Sequence, residues 1–336
     1  MENYLALAID GGHSSFKVRG AFASNPNERF GFQVPTALMP AVNISNEATR
    51  VRAEKETIEY KGKRYFFGQT ALKQGNLENF IGLSSNWIES EEHDILLLGC
   101  WRKMASELKQ HPTRIVLVMG LPAKYYSAQK QILQERVYAL VKPELAENQQ
   151  LVVIVNSQPD APLQTLAINR DGKANADIDM QRERWAAIEI GHFTTDFIYW
   201  DRGDVKEYAS VSCPGVHLVY ESIAKALTER KLPSDLDIID EIVHQRKLKI
   251  RGNVEDMSSL VDAAKKELVG TICDNAIRLF GSHASIMDGM LIGGGGASLV
   301  IDELRNHFPD VRIGDEPRML VAEGFCRVAL AMIRYG

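Results

Sequence analysis

The chain has 336 residues, room for two domains, with 45% hydrophobic and 25% charged residues and a formal net charge of -5. That charge argues against a broad DNA-binding surface, which needs clustered Lys and Arg to neutralise phosphate. No apolar run approaches the roughly 20 residues of a membrane span, and residues 1–4 lead straight into an apolar run without the basic n-region of a signal peptide. Cys100, Cys213, Cys273 and Cys326 are scattered without metal-type pairing. They read as small buried side chains in a reducing cytoplasm.

In chain order, residues 5–9 and 16–22 are predicted as strands joined by Asp10-Gly11-Gly12-His13-Ser14-Ser15. A polar turn precedes a third strand at 30–36. Residues 42–67 are alternating and polar, with a hairpin turning at Lys61-Gly62-Lys63. Residues 68–83 are expected as helix and turn, and 94–109 as a helix with apolar Leu97, Trp101, Met104, Ala105 and Leu108 on its pattern. Residues 115–119 form a continuous apolar strand of the buried parallel kind. Gly120-Leu121-Pro122 ends it, and a helix at 123–141 stops before Pro143. Another buried strand, 151–155, runs into Asn156-Ser157-Gln158-Pro159-Asp160-Ala161-Pro162, and a helix follows near Leu163.

Residues 169–184 are polar and read as a linker. A second hairpin spans 186–199, and a strand is expected at 205–210. Helices are expected at 216–227 and 238–245, with a basic strand at Lys247–Ile250. The Lys-rich run reads as a solvated strand edge, since Lys discourages edge pairing. A long helix at 257–280 precedes a strand at 287–292, the run Gly293-Gly294-Gly295-Gly296, a helix at 297–308 and a short strand at 311–313. An amphipathic helix at 319–333 closes the chain. Strand–helix alternation in both halves predicts two α/β domains with mixed sheets.

The two hairpins look like copies. Each runs as an apolar strand, one acid (Asp10, Glu189), glycine (Gly11 and Gly12, Gly191), small hydroxyl residues (Ser14 and Ser15, Thr194 and Thr195) and a second apolar strand. Glycine lets phosphate approach the backbone, and turn N–H groups with hydroxyls cradle an anion. A carboxylate repels phosphate but can hold a hydrated Mg²⁺. One Asp-Gly turn is an ordinary hairpin; the paired occurrence predicts a duplicated protein holding nucleotide between its halves. Asp10, His13, Glu189 and His192 could alternatively converge as a two-His, two-carboxylate metal site, but hydroxyl-rich turns suit phosphate better. The glycine run ends a strand and opens a helix, a place where the helix N-terminus favours an anion.

This pattern resembles the actin/Hsp70/sugar-kinase ATPases over nearly the whole chain. The hairpins resemble the phosphate-1 and phosphate-2 motifs, and Gly293 to Ala297 resembles the adenosine motif. Met319-Leu320-Val321-Ala322-Glu323-Gly324-Phe325 resembles the "ANARGF"-like second connecting helix. Within the superfamily, Gly120-Leu121-Pro122-Ala123-Lys124-Tyr125-Tyr126 is similar to the "LPLTEYY" element of the ParM/StbA plasmid-segregation actins. Gln158-Pro159-Asp160-Ala161 stands where that family has a Pro-Glu segment, and residues 190–196 resemble its "DxGGxTTD".

The resemblance implies an α/β, actin-like two-domain fold: duplicated ribonuclease-H-like domains with a nucleotide cleft between them. The first domain would hold residues 1–170 and 319–336, with an accessory subdomain near 37–83. The second would hold 171–318, with one near 230–256. ATP or ADP with Mg²⁺ is implied, GTP being left open. Asp10 and Glu189 would bind Mg²⁺ through water. Gly11, Gly12, His13, Ser14, Ser15, Lys17, Gly191, His192, Phe193, Thr194 and Thr195 would surround the phosphates, and Gly293, Gly294, Gly295 and Gly296 the adenosine. Asp160 would orient the attacking water, helped by Glu189, Asp10 and Gln158.

The chain departs from the family at Glu189, usually Asp, at His192, usually Gly, and at Asp160, usually Glu. The implied activity is ATP hydrolysis coupled to filament formation in the cytoplasm. A ParR-type adaptor would link the filament to a plasmid centromere, with no direct contact to DNA or membrane. A small-molecule kinase of the same superfamily is the alternative.

Overall fold

The computed structural model describes residues 3–75 and 86–336. The chain divides into two compact units, one of Met1–Ile178 with Met319–Gly336 and one of Asp179–Arg318.

The first unit opens with β1 (Tyr4–Gly11), β2 (Ser15–Phe22), β3 (Phe30–Pro35) and β4 (Leu38–Pro40). Next come α1 (Glu47–Glu54), β5 (Thr57–Tyr60), β6 (Lys63–Phe67), α2 (Gly68–Gln74) and α3 (Glu91–Glu107). The first part of the unit ends with β7 (Arg114–Leu121), α4 (Ala123–Val141), β8 (Gln150–Ser157) and α5 (Ala161–Ala167). The main sheet has the order β3-β2-β1-β7-β8. The hairpin β1–β2 is antiparallel, whereas β1, β7 and β8 run parallel, as buried strands joined by helices do.

The second unit holds β9 (Arg184–Ile190), β10 (Thr194–Asp201), β11 (Asp204–Val205), β12 (Val211–Pro214), α6 (His217–Glu229) and α7 (Leu236–Gln245). After these come β13 (Lys247–Ile250), β14 (Asn253–Asp256), α8 (Ser258–Phe280), β15 (Gly289–Gly293), α9 (Ala297–His307) and β16 (Val311–Ile313). Its main sheet has the order β11-β10-β9-β15-β16, with β12 also paired to β10. Again an antiparallel hairpin, β9–β10, sits beside parallel strands. The final helix, α10 (Leu320–Tyr335), returns to the first unit.

Side-chain alternation along β1 explains how both faces of its sheet are covered. Leu5, Leu7 and Ile9 join the core with α3 and α4, while Ala6 and Ala8 face Val321, Phe325, Cys326 and Ala329 of α10. The small residues let that helix lie close. Gly324 marks the tightest approach: a Cβ there would stand 2.1 Å from the Ala161 carbonyl oxygen. The residue before it, buried Glu323, takes the guanidiniums of Arg19, Arg29 and Arg327 at 3.0, 3.1 and 2.9 Å. In the second unit Ala186, Ile188 and Ile190 of β9 pack on α6, α8 and α9.

The hairpin predicted around Lys61-Gly62 forms as β5–β6. Both turn residues have positive φ, +49° and +75°, as a two-residue hairpin turn with matching twist requires. It belongs to a three-stranded sheet, β4-β6-β5. Tyr60 ties this sheet to the main body by donating to Asp94, which also takes a two-pronged contact from Arg136 at 2.7 Å on each oxygen. The helix expected at 68–83 is α2 as far as Gln74; residues 76–83 lie outside the described part.

The strand expected at 205–210 does not form. Lys206 donates to Tyr199 and Ala209 to Lys206, producing a 3-10 turn at Glu207–Ala209 between β11 and β12. The helix α1 and the strand β14 lie in stretches too polar to have shown a period. Of the cysteines, Cys100, Cys273 and Cys326 are buried, while Cys213 is only partly so.

Candidate phosphate-binding site

The two hairpins share one geometry. In the first, Asp10 pairs with Lys17 and Gly11 with Phe16, leaving Gly12 to Ser15 as a four-residue turn. In the second, Glu189 pairs with Asp196 and Ile190 with Thr195, leaving Gly191 to Thr194. Register therefore places Glu189 where Asp10 stands, Gly191 where Gly12 stands and His192 where His13 stands. The glycines meet the same constraint: a Cβ would lie 2.9 Å from the Ser15 carbonyl oxygen at Gly12, and 2.9 Å from that of Thr194 at Gly191.

Asp10 is 3% exposed and anchored on both oxygens. Lys17 Nζ contacts one at 3.1 Å, and Gln158 Nε2 donates to the other at 2.7 Å. Gln158 reaches it because the 3-10 turn Gln158–Asp160 follows the end of β8, two strands from β1. Asp160 lies in the same turn, half-buried, just before α5. Gly120 supports this arrangement, since a Cβ there would press on Gln158 Cγ at 2.6 Å and on the Phe325 ring.

The carbonyls of both turns are occupied from outside. Gly12 and Ser14 accept from Thr36. Gly191, His192 and Phe193 accept from the N–H groups of Val216, His217 and Gly215 at 3.0, 2.7 and 2.9 Å. A turn whose carbonyls are drawn to one flank presents less negative potential to an anion on the other.

Burial sorts two groups of residues expected at the ligand. Thr195 is fully buried and its hydroxyl donates to the Pro214 carbonyl, whereas Thr194 is exposed. Successive strand residues point to opposite faces, so one hydroxyl of the pair is lost to the sheet. In the glycine run, Gly293, Gly294 and Gly296 are buried and only Gly295 is exposed. Gly294, at φ +87°, and Gly296 lie against Ile190, where Cβ atoms would approach within 2.2 and 2.4 Å. They are glycine for close packing on β9. A Cβ at Gly295 would meet nothing nearer than Arg318, at 3.9 Å.

Beneath the first turn, His93 packs against Phe16 and Trp87 with ring centroids 5.6 and 5.5 Å apart. Burial holds its pKa down at about 3. His192 is lowered to about 4, by burial first and then by neighbouring His217. A histidine kept neutral in the fold contributes stability that is complete above the unfolded value near 6.5 and is lost as pH falls towards the folded value. For His93 each pH unit below 6.5 costs about 1.4 kcal/mol. The thermal midpoint should therefore fall steadily between pH 6.5 and 4.5, and His93→Leu should flatten the decline; an unchanged slope in that variant would refute the assignment.

Among the described residues no group of three or more His, Cys, Asp or Glu is gathered as metal ligands. A hydrated ion held through single carboxylates needs no such group. No described helix is long and apolar enough to cross a membrane.

Sequence profiles match in two stretches: the N-terminal domain of actin-like proteins over residues 8–157, and the C-terminal domain of MreB-like archaeal actin homologues over 187–306. No curated protein matches by sequence. Among solved structures, a 15-stranded ParM filament from Clostridium botulinum is similar at TM-score 0.74 and 20% identity, over 97% of this chain and 99% of that one. Bacillus thuringiensis ParM with ATP is similar at TM-score 0.67 and 12% identity, over 100% of both chains. An archaeal actin homologue is similar at TM-score 0.68 and 15% identity, over 97% and 99%.

Proposed function

The chain belongs to the actin-like proteins, and from that membership we propose that it is an ATPase that polymerises into nucleotide-dependent filaments and moves plasmid DNA through a DNA-bound adaptor. The observation that carries the nucleotide reading is the matched register of the Asp10 and Glu189 hairpins, each with an acid at the strand end and a glycine-bounded turn. Ser14, Ser15 and Thr194 hydroxyls and the turn N–H groups take phosphate oxygens, and Lys17 adds a compact charge. Gly295 admits the nucleoside side. Asp10 and Glu189 hold Mg²⁺ through its waters. Asp10 suits this role because each carboxylate oxygen has a further lone pair beyond its bond to Lys17 or Gln158. The ion, when bound, neutralises phosphate charge.

Asp160 orients the attacking water, with Gln158 and Glu189 in support. Phosphoryl transfer depends chiefly on such positioning and on charge stabilisation. Asp160→Asn should lower turnover about 100-fold while leaving ATP affinity within about threefold of the parent. Loss of affinity with the fold intact would assign Asp160 a different role.

The filament reading draws on the likeness to ParM structures, one of them a filament. A head-to-tail contact between unlike ends does not close and so propagates. The net charge of -5 accords with an adaptor, rather than this chain, holding the DNA. The test is sedimentation and electron microscopy with a non-hydrolysable ATP analogue across protein concentrations and salts. Filaments requiring nucleotide are expected. A chain that stays monomeric throughout while phosphorylating a small metabolite would replace this reading with the kinase.

A further inference from the structure

The turn between β1 and β2 is shaped from outside by a side chain that the sequence does not advertise. Thr36, just past β3, is 1% exposed. Its hydroxyl donates to the Gly12 carbonyl at 2.7 Å and its N–H to the Ser14 carbonyl at 3.0 Å. A trans peptide is planar, so its C=O and N–H point in opposite directions. Drawing the Gly12 carbonyl towards Thr36 aims the His13 N–H the other way, and drawing the Ser14 carbonyl aims the Ser15 N–H. In the second hairpin the corresponding carbonyls are held by backbone N–H groups of residues 215–217.

Thr36 is itself held. The next residue, Ala37, accepts from the Gly68 N–H at 3.0 Å. Gly68, at φ +62°, lies so close to Val34 that a Cβ would stand 2.8 Å from its Cγ1. The corner between β3 and β4 is thus pinned on both sides, and a pinned donor positions its acceptor without reorganising when ligand arrives.

We infer that Thr36 is a positioning residue for the phosphate turn, aligning the N–H groups of His13 and Ser15 for the phosphates of a nucleoside polyphosphate. The inference rests on the nucleotide reading of that turn. Thr36→Val keeps the shape and removes the hydroxyl; Thr36→Ser keeps the hydroxyl. Mg-ATP affinity should fall about tenfold in the valine variant, the scale of one buried hydrogen bond, and stay within about threefold in the serine variant. The rise in KM should exceed any fall in kcat, because the lost alignment affects substrate binding. In the parent protein, Mg-ATP should slow amide exchange at Thr36, a measurement that does not depend on a variant folding.

Equal affinity in the parent and the valine variant, or unchanged exchange at Thr36 under saturating nucleotide, overturns the inference while leaving the nucleotide reading intact. So does an equal loss in both variants that tracks a lower nucleotide-free thermal midpoint, which would make Thr36 merely structural. A parent protein that binds neither ATP nor ADP overturns the reading and the inference together.

Discussion

Glu323→Ala should lower stability of the first unit by about 3–5 kcal/mol, the range for removing one partner from a buried ionic cluster. Glu323 is 6% exposed and draws in Arg19 of β2, Arg29 beyond it and Arg327 of its own helix. Burial alone would raise its pKa, but Arg29, Arg327 and Arg19 override it and hold the carboxylate at about 2. Without it, three cations would crowd a poorly hydrated site. Arg327 would keep its bonds to the Thr165 and Ile168 carbonyls, and Arg29 its bonds to Pro26 and Arg170.

Because the folded pKa is depressed, this contribution is complete above the ordinary carboxylate value of 4.5 and is lost as pH falls from there towards 2. Denaturant unfolding at pH 7 should show the full difference between parent and variant, and the difference should shrink below pH 4.5. A loss under about 1 kcal/mol at pH 7 would place the cluster among weak, solvent-screened pairs and refute its structural role.

Asp10→Ala should lower ATP turnover by about 100-fold or more, the scale seen when one preorganised electrostatic group is removed from a reacting centre. The size follows from how firmly the carboxylate is held: buried, with Lys17 on one oxygen and Gln158 on the other. Removing it deprives the proposed ion of a ligand and releases Lys17 from its partner. Gln158→Ala should have a smaller effect, since it leaves the carboxylate and Lys17 in place. Calorimetric titration with Mg-ATP and a steady-state phosphate-release assay test both variants. If Asp10→Ala binds and hydrolyses ATP as the parent does, the phosphate-clamp assignment is wrong.

Local pattern alone made the two hairpins legible. An acid, a glycine and hydroxyls between two apolar strands is a contiguous signal, and cross-strand pairing preserves its spacing in the fold. The buried strands β7 and β15, the edge strand β8 and the helices after them were legible for the same reason: continuous apolar runs and 3.6-residue periods need no distant partner to be read, although β8 buries only Val153 and Val155. The duplication was legible as a repeat of residue types, and register turned it into a correspondence between individual residues.

Tertiary structure decided what depends on long sequence separation. Gln158 meets Asp10 across 148 positions and Arg19 meets Glu323 across 304. No periodicity carries that information, because the contacts arise from strand order in the sheet and from the return of α10. Thr36 and the segment 215–217 are likewise invisible as turn clamps, since a hydroxyl or a backbone N–H acquires that role only from the surface it meets. Burial also sorted residues that looked equivalent. Thr194 and Thr195 share a type but point to opposite faces of β10, and of four consecutive glycines only Gly295 is exposed, while Ile190 crowds Gly294 and Gly296. A chain records which residues share a type and a spacing; the packing of neighbouring strands determines which of them stay exposed.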